Sequence, residues 1–453
     1  MALSKPAAQR LCGGRLGRDR GLSDIASPTA KPLGFWSCWS LTVGIMIGSG
    51  IFLLPSVLAP YGLMSFAGWA LTGTGSICLA LVIARLAGRT SRSGGVYRYA
   101  HDAFGDLPGF LIAWGYWAAY WIAMPAMAIA FVGYLGVFLP ALKTHPAGQA
   151  AIALALIWTV TLINIRGLRE AGFVQLVMTV LKLVPLALII GLAAVSGEPE
   201  NLPEFNPQEG SMLSLLAATA LLTMWAFSGL EAGTMPAGDV TQPEKTIPRA
   251  IIAGTVTVTF VYIASTLAVM LLVPADTLEN STQPFADAAR GLGAWGPGMV
   301  AIGAMISTGG ALNGTVFVAG QLPMAVAVDG LAPKALAKRN AGGAPTVSLL
   351  MGAALASILL LANYTRGLVE LFTFLIMMST ATILVPLFVS ALAELRVSWA
   401  SQKAWAGIAG LTLLYTTFTI IGSGLGVLAW GALLFAVGVP VYYFGKQIGR
   451  HTP

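Results

Sequence analysis

Two apolar segments of this chain carry glycine and serine residues that would interrupt a membrane helix. The first holds Gly48-Ser49-Gly50 and the second holds Ser228-Gly229. In a bilayer, backbone groups released from a helix must find partners inside the protein or in a water-filled cavity. A broken helix also offers free N–H groups that attract a carboxylate and free carbonyls that attract an ammonium. The pair of interruptions therefore predicts one midplane site for both ends of an α-amino acid.

The polarity of the helix ends assigns each part of that site. N–H groups near Ser49, Gly50 and Ile51 suit the carboxylate, and the carbonyl of Met46 suits the ammonium. Carbonyls of the second segment are expected to complete the ammonium site, at Trp225, Ala226 and Ser228. Close packing of helices through small residues is the alternative explanation of the same glycines.

Two charged residues, Lys182 and Glu231, lie more than four residues from either end of a predicted membrane span. A charge at the bilayer centre costs at least about 2.5 kcal/mol, so a functional role is expected for each. For Glu231 we expect a role in gating or proton coupling, and the alternative is a buried, protonated acid that fixes local structure. For Lys182 we expect proton exchange, and the alternative is an ammonium that reaches the membrane interface.

The sequence contains no catalytic constellation. The histidines, His101, His145 and His451, fall in predicted loops or the tail, and no phosphate-binding loop or paired-carboxylate motif is present. We therefore expect neither an enzyme nor a bound metal or cofactor.

The elements that must position these residues follow from composition. Of 453 residues, 57% are hydrophobic and 9% are charged, whereas soluble domains have roughly 25% charged residues. Apolar runs of about 20 residues recur without strand-like alternation, which predicts an all-α integral membrane protein and excludes a porin-type barrel. Twelve spans are predicted, at 35–59, 63–87, 108–139, 147–165, 171–195, 211–236, 248–274, 297–326, 345–363, 367–393, 403–422 and 424–445.

Positive charges are distributed unevenly over the predicted loops. Of the 25 lysines and arginines, 21 fall on the side of the termini, three on the opposite side, and Lys182 within a span. By the positive-inside rule the tails, 1–34 and 446–453, are cytoplasmic, as in an inner-membrane protein. This topology accounts for the net charge of +7, and no nucleic-acid partner is expected.

Several motifs together resemble the amino acid–polyamine–organocation superfamily of transporters. They are Gly48-Ser49-Gly50-Ile51-Phe52 with Pro55, Trp225 to Glu231, Pro243 to Pro248, Ala319-Gly320-Gln321, and Asp329-Gly330-Leu331 with Pro333. The resemblance implies a five-plus-five inverted repeat, 35–195 and 211–393, followed by two helices in 403–445. It also implies alternating access to a midplane site.

Within that superfamily the chain is similar to the arginine/agmatine antiporter group. The resemblance implies gating roles for Trp225, Glu231 and Tyr116, and a pocket role for Ser379. Thr315 and Met124 stand where that group has a tryptophan and an asparagine, which weakens cation–π and polar recognition of arginine. A pocket with Met124, Met127 and Met377 nearby suits an apolar side chain better. Lys182 corresponds to a fifth-span lysine of sodium-independent neutral amino acid transporters.

The leading hypothesis is thus a sodium-independent transporter of neutral, apolar amino acids, working by exchange or proton coupling. A basic amino acid or polyamine antiporter is the alternative, favoured by Glu231, Ser379 and Trp225. A receptor that binds amino acid without transporting it is the alternative from another class. The expected partners are the substrate and the lipid bilayer, and a homodimer is left open.

Overall fold

The computed structural model describes residues 34–89, 95–166, 172–231 and 240–451. These residues form α-helices joined by turns and short 3-10 segments. The first eight helices are α1 (Phe35–Met46), α2 (Ser49–Leu58), α3 (Met64–Ala87), α4 (Gly95–Phe104), α5 (Asp106–Leu135), α6 (Pro146–Arg166), α7 (Gly172–Ser196) and α8 (Met212–Phe227). The next eight are α9 (Pro243–Leu272), α10 (Ala275–Leu278), α11 (Pro284–Ala288), α12 (Gly296–Val328), α13 (Thr346–Asn363), α14 (Leu368–Ser398), α15 (Lys403–Gly422) and α16 (Leu425–His451).

The helix lengths agree with the membrane class predicted from composition. Within the described residues, ten helices are long and apolar enough to cross a membrane, and the bent pair at 35–61 makes an eleventh. α8 has 16 residues, fewer than the roughly 20 that a span requires. The predicted sixth span, 211–236, is helical only to Phe227, and its residues 232–236 lie outside the described part. The predicted tail 1–34 also lies outside it, apart from Gly34.

α5 lies at the centre of the helix assembly. In its most apolar stretch 78% of the residues are buried, against 11% in α16. α12 and α14 pack along α5, and α6, α13 and α16 pack around it. α3 packs separately against α8, α9 and α15. Among the described candidate spans, α5 has the largest share of its apolar window buried inside the protein, so it is the helix around which the others pack.

A short amphipathic helix, α4, precedes α5 and was not predicted from the sequence. Its buried face includes Val96, Tyr97 and Ala100, at helical spacing. The Tyr97 hydroxyl donates a hydrogen bond to Asp329 Oδ2 at 2.6 Å. Burial raises the pKa of Tyr97, so this hydroxyl stays a donor at neutral pH. With 10 residues of mixed polarity, α4 is too short and too polar to resemble a span.

Candidate binding site at two helix breaks

The first break separates α1 from α2. Helical geometry is lost at Ile47 (φ −77°, ψ 87°) and Gly48 (φ −132°, ψ −138°), and the two halves meet at 40°. A β-carbon at Gly48 would lie 2.6 Å from Ala311 Cβ on α12, a separation that real side chains do not tolerate. Glycine is therefore required here because α12 approaches the broken backbone so closely.

The second interruption predicted from the sequence, called the second break below, begins where α8 ends. Ser228 is extended (φ −61°, ψ 132°), and Gly229 has a φ of +95°, which glycine adopts readily and other residues rarely adopt. A β-carbon at Gly229 would lie 2.5 Å from Ile45 Cγ2 on α1. The two interruptions predicted from sequence thus lie against one another.

The breaks leave polar groups that no neighbour satisfies. The hydroxyls of Ser49 and Ser228 are buried, and neither has a hydrogen-bond partner among the described residues. No side chain caps the N-terminus of α2, so the N–H groups of its first turn are also available. Both serines line the same cavity. A ligand with acceptor and donor groups would satisfy these atoms.

The structure brings most of the sequence-predicted binding residues to this cavity. On its wall lie Met46, Ser49, Gly50, Trp225, Ser228, Thr315 and Ser379. Four others lie off the lining, namely Ile51, Ala226, Met124 and Met377. Residues on the wall that the sequence did not single out include Ala119, Ala123 and Ile383. The cavity lining contains no charged side chain among the described residues.

A tyrosine on α9 joins the two breaks. The Tyr262 hydroxyl lies 2.5 Å from the Met46 carbonyl oxygen and 2.9 Å from the Ala226 carbonyl oxygen. Its ring is fully buried and packs against Trp69 and Phe227, with ring centroids 5.3 and 5.5 Å away. One hydroxyl therefore contacts a carbonyl at the end of α1 and another in the last turn of α8. No sequence pattern distinguishes Tyr262 from the other tyrosines, so sequence analysis missed it.

Lys182, on α7, contacts the end of α1 beside the first break. Its Nζ atom donates to the Gly44 carbonyl oxygen at 2.9 Å, and the side chain is 4% exposed. The Ser307 hydroxyl, on α12, donates to the Ile47 carbonyl oxygen at 3.0 Å. Lys182 is not part of the cavity lining. Its position indicates a link between α7 and the end of α1.

Glu231 is connected to the cavity lining by one hydrogen bond. It is 2% exposed, and the Tyr120 hydroxyl donates to its Oε1 atom at 3.1 Å. The hydroxyls of Tyr120 and Tyr116 are 3.4 Å apart, one helical turn from each other on α5. Tyr120 itself lines the cavity. A chain of polar groups thus connects the predicted gating residues Tyr116 and Glu231 through Tyr120.

The wall opposite the breaks is formed by α5, α12 and α14. Ala119, Ala123 and Met127 follow one another at four-residue spacing along α5. The Ser379 hydroxyl donates to the Ala119 carbonyl oxygen at 2.8 Å, and Thr315 Oγ1 lies 3.3 Å from Met127 Sδ. This wall is mostly apolar, with two hydroxyls already engaged as donors.

Comparison with known proteins adds an independent line of evidence. Residues 33–448 match the protein-family model described as amino acid permease. The chain is 28% identical to an arginine/ornithine antiporter of Pseudomonas aeruginosa, with 94% of this chain and 93% of the relative aligned. It is 30% identical to the putrescine transporter PotE of Haemophilus influenzae (92% and 98%). It is 29% identical to a cadaverine/lysine antiporter of Escherichia coli strain K12 (94% and 97%).

Proposed function

We infer a transport function from one premise, that the chain belongs to the amino acid permease family. On that premise we propose an antiporter that exchanges basic amino acids or polyamines across the membrane. The observation that carries this proposal is that three relatives with such names align with more than nine-tenths of the chain. The leading sequence hypothesis, a neutral substrate, has less support than this alternative.

The site supports a mechanism in which the breaks hold the substrate's backbone groups. We propose that Ser49 and the N–H groups of Gly50 and Ile51 bind the carboxylate. The ammonium would be held by carbonyls of Met46 and of the second break, at Trp225, Ala226 and Ser228. Because the breaks end in opposite partial charges, the two ends of a zwitterion are stabilised together.

The same proposal gives roles to the residues that flank the binding site. Trp225, on the cavity wall, would close over the substrate, and Tyr116 with Glu231 would gate the route to it. Lys182 and Glu231 would exchange protons during the cycle, since both are buried ionisable groups in predicted spans. Lys182 also places its amino group beside the first break, and this position supports transport without sodium.

We further propose the architecture that the resemblance implies. The broken pair α1 and α2 would begin one repeat, 35–195, and α8 with the residues after it would begin an inverted second repeat, 211–393. α15 and α16 would be the two additional helices. Twelve spans with cytoplasmic termini in an inner membrane account for the distribution of lysine and arginine.

One observation favours a second candidate, a transporter of neutral amino acids. The wall around the substrate side chain is formed by Ala123, Met127, Ile383 and the hydroxyl-bearing Thr315. Such a wall suits an apolar side chain, because burying a charge without a partner is costly. For amino acid substrates, the two candidates use the same proposed backbone clamp and differ in the substrate's side chain.

Counterflow into proteoliposomes separates the candidates. Vesicles are loaded with arginine, ornithine, lysine, putrescine or leucine, and uptake of the same radiolabelled compound is measured in sodium-free buffer. We expect exchange of the basic amino acids or of putrescine. Counterflow of leucine alone would favour the second candidate, and no counterflow with any of the five compounds would refute the transport proposal. Saturable binding without flux would point to a receptor.

A further inference from the structure

A turn centred on Asn340 ties the loop between α12 and α13 to the end of α6. The Asn340 side-chain amide donates to the Ile165 carbonyl oxygen at 2.7 Å. Its Oδ1 atom accepts from the N–H groups of Gly342 and Ala344 at 3.0 and 2.9 Å. A β-carbon at Gly342 would lie 3.2 Å from the Arg166 carbonyl oxygen, so the two segments also meet through their backbones. This one side chain thus fixes the loop on the last turn of α6.

The turn holds three exposed cations close together. Arg166 is the last residue of α6, and Lys338 and Arg339 directly precede the turn asparagine. Arg339 Nε lies 3.2 Å from Met324 Sδ, and among the described residues, which omit 167–171, no acidic side chain pairs with any of the three. The positive-inside rule explains cations on this face, but it does not explain a turn that brings them together against their mutual repulsion. A bound anion would offset that repulsion.

The N-terminus of α13 lies at the same place. The helix has 18 residues and begins at Thr346, two residues after Ala344. The Thr346 N–H is bonded to the Ala344 carbonyl oxygen, and no side chain caps the N–H groups that follow. The Thr346 hydroxyl is also buried without a partner among the described residues. Helix N-termini and arginine side chains both favour phosphate, so this corner of the protein suits a phosphate group.

Exposed apolar side chains place the corner at the membrane boundary. Leu162 is 51% exposed and lies four residues before Arg166, on the same face of α6. Val347 and Leu350, at the start of α13, are 44% and 38% exposed. In a membrane protein such side chains face the acyl chains, and cations directly beyond them lie at the level of the lipid headgroups. A phosphate at this level belongs to a phospholipid rather than to a soluble compound.

We propose that this corner, made of Arg166, Lys338, Arg339 and the N-terminus of α13, binds the headgroup of an anionic phospholipid from the cytoplasmic leaflet. None of these residues lines the substrate cavity, so the lipid site does not depend on which compound is transported. A zwitterionic lipid binds more weakly, because its own ammonium neutralises its phosphate. Since α6 and α13 pack against each other beneath the corner, a lipid bound there stabilises the fold.

The test titrates the purified full-length protein in detergent with phosphatidylglycerol or phosphatidylcholine. The melting temperature is measured at each concentration, and native mass spectrometry counts the lipids that stay bound. We expect the half-maximal rise in melting temperature at a concentration of phosphatidylglycerol at least about fivefold lower than that of phosphatidylcholine. An equal response to both lipids, or the same rise with inorganic phosphate alone, would overturn the proposal.

Single charge-removing variants locate the site. In Arg166→Gln and in Lys338→Gln, we expect the half-maximal concentration of phosphatidylglycerol to rise roughly fivefold, because each cation near an anionic headgroup contributes about that factor. The matched control is Lys403→Gln, which removes one exposed cation that the predicted topology also places on the cytoplasmic side. Lys403 lies apart from the corner, at the start of α15, where its Nζ atom donates to the Trp399 carbonyl oxygen. The same titration curve in all three variants would contradict a site at this corner.

Asn340→Ala keeps every charge and removes the bonds that hold the two segments together. We expect it to weaken the response to phosphatidylglycerol by at least about fivefold, since the cations no longer converge on one headgroup. An unchanged response would mean that the cations act separately, and it would overturn the built site. If Asn340→Ala does not fold, the variants at the exposed cations decide alone. Both readouts measure binding, so a missing lipid effect with normal counterflow refutes only the lipid site, and a lipid effect without counterflow refutes only the transport proposal.

Discussion

Replacing Tyr262 by phenylalanine tests whether the two breaks act as one unit. The substitution removes only the hydroxyl that lies 2.5 Å from the Met46 oxygen and 2.9 Å from the Ala226 oxygen. The ring and its contacts with Trp69 and Phe227 remain, so the core of the assembly is kept. What changes is the position of two carbonyls that we propose to bind or flank the substrate ammonium.

The size of the effect follows from the hydrogen bonds lost. A single hydroxyl proton is shared between two buried carbonyl oxygens, and a net hydrogen bond contributes about 0.5–1.5 kcal/mol. A loss of about 1–2 kcal/mol corresponds to a factor of roughly 5–30. Because the bond joins both breaks, we expect most of this loss in the apparent substrate constant rather than in the melting temperature.

The assay is counterflow over a range of substrate concentrations, with the melting temperature measured on the same preparations. Tyr415→Phe is the control, because Tyr415 is a buried tyrosine on α15 that does not line the cavity. We expect KM to rise roughly 5–30-fold in Tyr262→Phe and to stay unchanged in Tyr415→Phe. Unaltered kinetics in the first variant, or the same rise in both, would refute the argument that Tyr262 couples the breaks.

Three further substitutions probe other contacts. Lys182→Ala removes the bond to the Gly44 carbonyl, and we expect slower exchange with an altered pH dependence at normal expression; unchanged flux at every pH would contradict a coupling role. Trp225→Ala removes an indole from the cavity wall. We expect a higher KM and, in a binding-dissociation assay, faster release of the substrate. Unaltered kinetics would mean that the indole contributes only packing. Glu394→Gln removes the charge of a buried carboxylate that two partly exposed arginines contact. Because a hydrogen bond to a charged group contributes about 1.5–3 kcal/mol, we expect a lower melting temperature, and a value equal to wild type would contradict its structural role.

The membrane helices could be predicted because the bilayer fixes their length and polarity. The predicted span 403–422 and the observed α15 (Lys403–Gly422) coincide, and 345–363 differs from α13 (Thr346–Asn363) by one residue. Hydropathy did not reveal α4, since burial of its apolar face depends on neighbours far along the chain. Nor did it place the early start of α9 at Pro243, because the first turn carries polar residues.

The breaks could be predicted from local glycine and serine residues. Which residues line the cavity, however, depends on how each helix is rotated about its own axis. Along α5, Ala123 and Met127 share a face four residues apart, and both line the cavity. Met124, expected on the wall, is rotated about 100° from Ala123, is 1% exposed and lies off the lining. Since α5 is apolar all round, its sequence carries no amphipathic signal that fixes this rotation.

Tyr262 illustrates a different limit of sequence-based prediction. Its role arises from contacts with carbonyls 216 and 36 residues away in the chain, and a hydroxyl bonded to backbone leaves no pairing signal between side chains. Lys182 could be singled out because a charge inside a span is costly on its own. A neutral tyrosine in an apolar helix carries no such cost, so only the folded arrangement identifies it.

The proposed site has two parts, the backbone groups at the breaks and the side chains on the opposite wall. This division explains why membership of the family does not determine which substrate is transported. The proposed clamp consists largely of backbone groups at the breaks, and their geometry depends on Gly48, Gly229 and the Tyr262 hydroxyl. Of the three helices of the opposite wall, α12 also contacts the first break, through Ala311 and Ser307, whereas the wall residues Ala123 and Met127 lie on α5. On this proposal, specificity for the substrate side chain is expected on that wall, at Thr315, Met127 and Ile383.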